Sequence, residues 1–325
     1  MDITKDIKEI KRIIDRCTSF IVASHIDPEG DAIGSSLALY FALTNLGKKV
    51  CVYNESPLPK ILNFLPGSNK IVSDIYSPDE YDCIFIVDCG DIDRVGKLSK
   101  KLEKLRIINI DHHSTNTNFG HINIVNRDAS ATGEVIFNFL EKLSMPITKE
   151  IAINLYTAIL VDTGSFRYSS TSAESFEICS KLMKYGVEPW EVSKNVYESF
   201  PYERMKLLGL VLDTLEIFLN GRVAFMYVTK DMFKKVGASE DLTEGFVNFG
   251  RAIDGVEISV LCKEVEENVY KLSLRSKGLI DVAQLAIKLG GGGHKNAAGC
   301  TVRGSFVDVR EKVMAVLKEY EEQII

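Results

Sequence analysis

The segment Leu105-Arg106-Ile107-Ile108-Asn109-Ile110-Asp111-His112-His113 carries an apolar run of strand length straight into an acid and two imidazoles. Three other points repeat the arrangement. They are His25-Ile26-Asp27-Pro28-Glu29-Gly30-Asp31 after the apolar run 19–24, Val87-Asp88-Cys89-Gly90-Asp91 after 83–87, and Leu160-Val161-Asp162-Thr163-Gly164 after 151–161. One such point would be an ordinary loop. Four of them imply one assembled metal site, because carboxylates and imidazoles that converge repel or desolvate one another unless a cation is present.

Working outward, strand-like and helix-like runs alternate. Residues 19–24, 49–53, 83–87 and 107–110 read as strands. Residues 7–14, 32–46, 132–143 and 151–161 read as helices, with Gly47 a stop signal and Thr132 a candidate cap. Alternation of this kind predicts an α/β domain with a parallel sheet covered by helices on both faces. Ligands in such folds sit beyond the carboxyl ends of strands, at a topological switch point, where this chain keeps its acids and histidines. Asp162 is the exception, since a helix-like run precedes it. Residues 186–219 read as a connector containing a linking helix over 205–218. Past it the pattern changes: strands over 223–228, 257–265 and 269–274 and helices over 231–236, 242–252 and 280–288 predict a smaller α+β domain with a mixed sheet. The expected division is 1–187, a connector 188–219, and 220–325.

A chain of 325 residues suits two domains and buries a sizeable core. Its net charge of -6 argues against a nonspecific duplex-DNA binder, though not against a local basic patch for a short anionic substrate. No apolar stretch approaches about 18 residues, so no membrane span is expected. Seven scattered cysteines without paired spacing predict reduced, mostly buried thiols and a cytoplasmic location. Whether the connector helix packs within the chain or against a second copy, as a homodimer, is left open.

Oxygen ligands mixed with one or two imidazoles suit Mn²⁺ first, then Mg²⁺ or another first-row ion. Cys89 reads as core, and Asp91, Asp93 and Asp128 as caps of helices or turns. The ordered clusters resemble the motifs of the DHH phosphoesterase superfamily, to which RecJ-type exonucleases and family II pyrophosphatases belong. The run Gly290-Gly291-Gly292-Gly293-His294-Lys295-Asn296-Ala297-Ala298-Gly299 is similar to the signature of the DHHA1 domain. The resemblance covers nearly the whole chain and is greatest to the short nanoRNase/pAp phosphatase branch. It implies two metals: His25, the residue at 29 and Asp88 for the first; Asp31, Asp88, His112 and Asp162 for the second, with Asp88 bridging. The family generally has Asp at position 29, and this chain has Glu29, one methylene longer. The resemblance also implies that Asp111 supports an imidazole and that His113 faces the substrate phosphate. His121 is read as structural.

Four consecutive glycines free the backbone for positive φ and for an anion-holding nest, so Gly291, Gly292 and Gly293 are candidate substrate contacts, with His294, Lys295 and Asn296 adding donors. Arg275-Ser276 resembles the family's substrate contact, and Arg offers phosphate a bidentate fork. Phe166 or Tyr168 is either a stacking platform for a base or core, and Ser114-Thr115-Asn116 either orders its loop or meets substrate. The function expected is a two-metal phosphohydrolase of short single-stranded RNA or DNA, dinucleotides or pAp. The nearest alternative is a phosphodiesterase of c-di-AMP or pApA. The alternative of another class is a nucleotide-binding regulator without turnover.

Overall fold

The computed structural model describes residues 3–102 and 105–324, which form two compact units meeting at Ser199 and Phe200. In chain order the first holds α1 (Ile3–Arg16), β1 (Ser19–Ala23), α2 (Gly30–Thr44), β2 (Lys49–Tyr53), β3 (Ile71–Val72), β4 (Cys83–Val87), β5 (Arg106–Asp111), β6 (Ile122–Val125), α3 (Thr132–Lys142), α4 (Lys149–Asp162), α5 (Ala173–Lys184) and α6 (Pro189–Tyr197). Its sheet runs β3-β2-β1-β4-β5-β6, with every pairing parallel. The chain winds outward from β1 in one direction, returns to β4 and winds outward in the other. The switch point therefore lies between β1 and β4, where the carboxyl ends carry His25 and Asp88.

β1 and β4 are apolar and buried along their whole length, as a strand covered on both faces must be. Period-two alternation divides them. Phe20, Val22, Phe85 and Val87 pack into the core with α1, α3 and α4, whereas Ile21, Ala23, Ile84 and Ile86 pack against Val95 and Leu98 of a 3-10 run on the other face.

α2, α3 and α4 meet through small residues. A Cβ on Gly34 would stand 2.4 Å from the Asn154 carbonyl oxygen, one on Gly30 2.6 Å from Val161 Cγ2, and one on Gly133 2.7 Å from the Ala158 Cβ. This close approach draws the first turn of α2, the start of α3 and the end of α4 together. Asp31, Thr132 and Asp162 sit on those three ends. Gly34→Ala is therefore expected to cost about 1–3 kcal/mol through overpacking. Gly209→Ala, in a helix with open space around it, should instead stabilise by up to about 1 kcal/mol. Urea unfolding of the two variants checks both signs.

The second unit holds α7 (Tyr202–Leu212), β7 (Glu216–Phe218), β8 (Val223–Val228), α8 (Lys230–Val236), α9 (Val247–Arg251), β9 (Ile258–Glu266), β10 (Val269–Ser276), α10 (Val282–Lys288), β11 (Gly292–His294), β12 (Ala297–Arg303) and α11 (Phe306–Lys318). Its sheet runs β11-β12-β10-β9-β8-β7 and is antiparallel except between β8 and β9. One face packs against α10 and α11, the other against α7, α8 and α9.

Several elements differ from the sequence expectation. The helix expected over 205–218 ends at Leu212, and Glu216–Phe218 joins the sheet. Thr214 makes the turn: its hydroxyl accepts from the Tyr227 N–H at 3.0 Å. The helix expected over 242–252 is a 3-10 turn and α9, separated by Gly245 at φ +77°. α5, α6 and the short edge strands β3 and β6 were not anticipated. No helix among the described residues is long and apolar enough to cross a membrane, and all seven cysteines are unpaired.

Candidate metal centre

Three strand ends and three helix ends build the site. β1 delivers His25, β4 delivers Asp88, and β5 ends on Asp111 with His112 and His113 following. Asp88 adopts left-handed backbone at φ +52°, and its N–H still donates to the Ile110 carbonyl at 3.0 Å, so the turn starts while the sheet ladder holds. Its carboxylate stands at the centre. Oδ2 is 3.5 Å from His25 Nε2, and Oδ1 is 3.7 Å from both His112 Nε2 and His113 Nδ1. His112 Nε2 is also 3.4 Å from Asp162 Oδ2 and 3.9 Å from Asp31 Oδ2.

The outer atoms of the imidazoles are held by backbone. His25 Nδ1 lies 2.7 Å from the Ile26 carbonyl and His112 Nδ1 3.2 Å from that of Ala129. With Nδ1–H donating outward, each Nε2 lone pair faces the carboxylates, the tautomer a metal ligand needs. Asp31 accepts the N–H groups of Thr132 and Gly133 at 2.6 and 2.9 Å and the Ser35 hydroxyl at 3.0 Å. It thus caps α3 from another helix. Thr132 is not the cap; Ala131 holds that position, and the Thr132 hydroxyl donates to Asp88 Oδ1 at 3.0 Å. Thr132 therefore fixes Asp31 and Asp88 together, a role its sequence did not reveal.

The electrostatics are out of balance without a cation. Burial, with Asp88 adding to it, pushes Asp31 up to about 7. Burial also raises Asp162 well above the usual carboxylate range, with Asp31 adding to it. Asp162 is the last residue of α4, where the helix dipole is negative and disfavours an anion. Burial opposes charge on His112, but Asp31, Asp162 and Asp88 outweigh it and lift its pKa to about 9. Burial likewise opposes charge on Asp88, but the hydrogen bond from His25 and the positive field of His113 hold it below the ordinary carboxylate range. The donors are carboxylate oxygens and imidazole nitrogens, and Cys89 Sγ turns away to the Asp91 carbonyl at 3.0 Å. Two triads, Asp88-His112-His113 and Asp31-His112-Asp162, each offer ligand atoms lying within 4.8 Å of one another. Donor chemistry, tautomers and charge all fit a divalent cation. Glu29 is exposed, stands at the N-cap of α2 and belongs to neither triad, yet its charge also raises the pKa of Asp162.

In the Asp-His-His triplet Asp111 is fully buried. It accepts His113 Nδ1–H at 2.7 Å and the Asn116 amide at 2.5 Å, which are donors enough to hold its carboxyl low despite burial. Asp111 thus orients His113, while a backbone carbonyl orients His112. Asn116 also donates to Asn109 Oδ1 at 2.8 Å, so it orders the loop. The signal for Asn109 was an amide inside an otherwise apolar strand. Asn116→Ala is expected to lower kcat by about 10- to 100-fold while metal content holds, measured by steady-state kinetics and metal analysis on one preparation.

Other candidates settle elsewhere. His121 Nδ1 accepts the Ile107 N–H at 2.9 Å, a structural use. Phe166 stacks on Phe176 at 5.0 Å and packs against the core, and the Tyr168 ring covers Gly164, so both serve packing. Asp91 caps the following 3-10 run through the Asp93 N–H. In the second unit the glycine run is not an open loop. Gly292 and Gly293 pair with Gly299 and Ala298, and a Cβ on Gly291 would stand 2.1 Å from the Gly299 carbonyl oxygen. Lys295 and Asn296 make the hairpin turn. Ser276 is buried and its hydroxyl lies between Glu257 and the Ile280 carbonyl at 3.0 and 2.7 Å. Arg275 and His294 both lie opposite Ala297, on its two neighbouring strands. They share one face of the sheet, about 10 Å apart at the backbone, across a small residue.

The family model described as the DHH family, N-terminal domain, matches residues 19–159, and the DHHA1 domain model matches 220–325. A bifunctional oligoribonuclease and PAP phosphatase NrnA of Thermus thermophilus is 36% identical over 299 residues, covering 92% of this chain and 89% of that protein. The Bacillus subtilis protein of the same description is 25% identical over 320 residues, 96% of this chain and 99% of its own. Among solved structures, an exopolyphosphatase-related protein from Bacteroides fragilis superposes with a TM-score of 0.94 at 30% identity, covering 98% of this chain and 97% of that one. RecJ of Thermus thermophilus in complex with Mn²⁺ shares the fold at a TM-score of 0.55 and 12% identity, over 98% of this chain and 55% of its own.

Proposed function

The chain belongs to the DHH family and is a phosphoesterase, and we propose that it hydrolyses short oligoribonucleotides and removes phosphate from pAp. The observation that supports this most is the convergence of His25, Asp88, His112, Asp31 and Asp162 at the switch point, with His113 beside them. The substrate class rests on the named relatives, which match along nearly their whole length. In this reading His25, Glu29 and Asp88 hold one divalent ion, and Asp31, Asp88, His112 and Asp162 hold a second. Mn²⁺ is the first choice and Mg²⁺ the next. Ions bound there supply Lewis acidity, which lowers the pKa of water toward neutrality and offsets phosphoryl charge.

The chain's own groups do the rest. Asp88 faces both ligand sets and Thr132 fixes its rotamer. His113 donates its Nδ1–H to the Asp111 carboxylate in a hydrogen bond, so Nε2 is the atom left to meet substrate. Asp111 fixes the orientation of the ring, and in this reading His113 Nε2 is placed to pass a proton to the leaving oxygen. In the second unit we assign Arg275 and His294 to a substrate phosphate, with Gly291, Gly292, Gly293, Lys295 and Asn296 shaping their hairpin. Ser276 fixes the turn beside Arg275. The seven unpaired cysteines fit a reducing compartment, the cytoplasm.

A turnover panel of short RNA, pAp, pApA and c-di-AMP, with Mn²⁺, with Mg²⁺ and after chelation, tests the reading. Mononucleotide release from RNA and phosphate release from pAp, both lost on chelation, are the expected results. Turnover of c-di-AMP alone would replace the substrate, and no turnover of any by metal-loaded protein would overturn the function.

A further inference from the structure

Arg94 is a cation beside His25 that neither the ligand set nor the second unit accounts for. It follows Val87-Asp88-Cys89-Gly90-Asp91 in the 3-10 run after β4, and its side chain is exposed. The backbone beneath it is pinned. Its carbonyl accepts the Ile26 N–H at 2.7 Å, joining this run to the loop that carries His25. Gly96, two residues on, has φ +82°, and a Cβ there would meet Glu55 Oε2 at 2.1 Å and Ile26 Cγ2 at 3.0 Å. The two segments are therefore locked together, and the root of Arg94 is fixed beside His25.

The guanidinium reaches His25, with Nη2 3.4 Å from Nδ1. That contact does not survive in the ligand tautomer. There Nδ1 carries a proton, given to the Ile26 carbonyl 2.7 Å away, and has no lone pair for Arg94. Among the described residues the guanidinium has no ion-pair partner. A planar group with five donors, rooted beside His25 and paired with no acid among the described residues, is suited to a planar pair of oxygens brought in from outside.

We propose that Arg94 binds non-bridging oxygens of the phosphoryl group being cleaved, beside His25. This rests on the phosphoesterase reading and adds to it a contact from the first unit itself. A guanidinium there would hold the phosphoryl group in line and offset the charge spread over its non-bridging oxygens in the transition state.

Arg94→Ala and Arg94→Lys, compared with wild type, test this by three readouts: Mn²⁺ binding by calorimetry without substrate, inhibition by inorganic phosphate, and kcat/KM for pAp and a short RNA. For Arg94→Ala we expect Mn²⁺ affinity within about twofold of wild type, weaker phosphate inhibition, and kcat/KM lower by about 100-fold on both substrates. Lys, a point charge without the fork, should restore about a tenth of the wild-type value. Unchanged kcat/KM and phosphate inhibition in Arg94→Ala would overturn the proposal. So would loss of Mn²⁺, which would make Arg94 a support for His25 instead. If wild type turns over neither substrate, the proposed function fails separately, and calorimetric binding of phosphate to the Mn²⁺-loaded proteins still decides the role of Arg94.

Discussion

Asp88→Ala is expected to lower phosphoester turnover by about a thousandfold or more and to remove most bound metal. Three imidazoles and the Thr132 hydroxyl face this side chain. One oxygen faces His25, the other faces His112 and His113, and Thr132 holds the second by a hydrogen bond. Asp88→Asn separates charge from shape, since it keeps the volume and an oxygen for Thr132 but loses the negative charge. Both variants should therefore lose metal. The Ala variant should also lose some stability, because its cavity leaves the Thr132 hydroxyl unpaired. Metal analysis, circular dichroism and kinetics on the same preparations check this. Near wild-type turnover in a folded Asp88→Ala protein would sink the metal-centred reading.

The difference between Asp88 and its neighbours explains how much of the site was legible. Ligand candidates following buried strands could be found in the sequence because a fully buried parallel strand is a continuous apolar run, and an acid at its end stands out. That logic singled out His25, Asp88 and His112, which the fold brings together, and it read β2, β4 and β8 at the residues where they occur. Asp162 was found but not explained, since a helix brings it in. The distances from Gly34 to Asn154 and from Gly133 to Ala158 position that helix, and long-range packing leaves no local mark. The second layer was illegible for the same reason. Thr132 looked like a cap because caps are local, while its true partners lie 44 and 101 residues away. The glycine run was legible only in part. The expected positive φ occurs at Gly290 and Gly293, but the sequence did not show that Gly292 and Gly293 pair in a tight hairpin or that Gly291 admits an adjacent carbonyl. The apolar stretch from Met205 onward looked like one helix because periodicity does not show a neighbouring strand waiting to be paired.

The second large effect expected is a metal-induced stabilisation that grows with pH. Consider first the protein without metal. Burial lifts Asp31 to about 7 in the fold, above its ordinary 3.8, and the surrounding carboxylates outweigh burial to lift His112 to about 9, above its ordinary 6.5. Both folded values are raised, so the fold holds a proton in this cluster more tightly than the unfolded chain does. That contribution to stability is present in full below the unfolded values and is lost as pH rises through the folded ones. Asp88 has a lowered pKa and acts in the other direction, but only in acid, below the window in question. The metal-free protein should therefore weaken steadily between about pH 6 and 9. A divalent ion reverses the trend, because it takes the place of the proton and its ligands bind it deprotonated. With Mn²⁺ at 100 to 1000 times its dissociation constant, the melting temperature of the first unit should rise by roughly 5–15 °C at pH 8.5 and by much less near pH 5.5. Calorimetric scans with Mn²⁺ and with chelator at the two pH values check this. An equal rise at both, or a metal-free protein that gains stability between pH 6 and 9, would show that the cluster is not short of positive charge. Asp162→Asn sharpens the test. It removes one anion from the negative end of α4, so it should stabilise the metal-free protein at pH 8.5 while weakening Mn²⁺ binding. Opposite signs in one variant are what an ion-binding site predicts and a purely structural acid cluster does not.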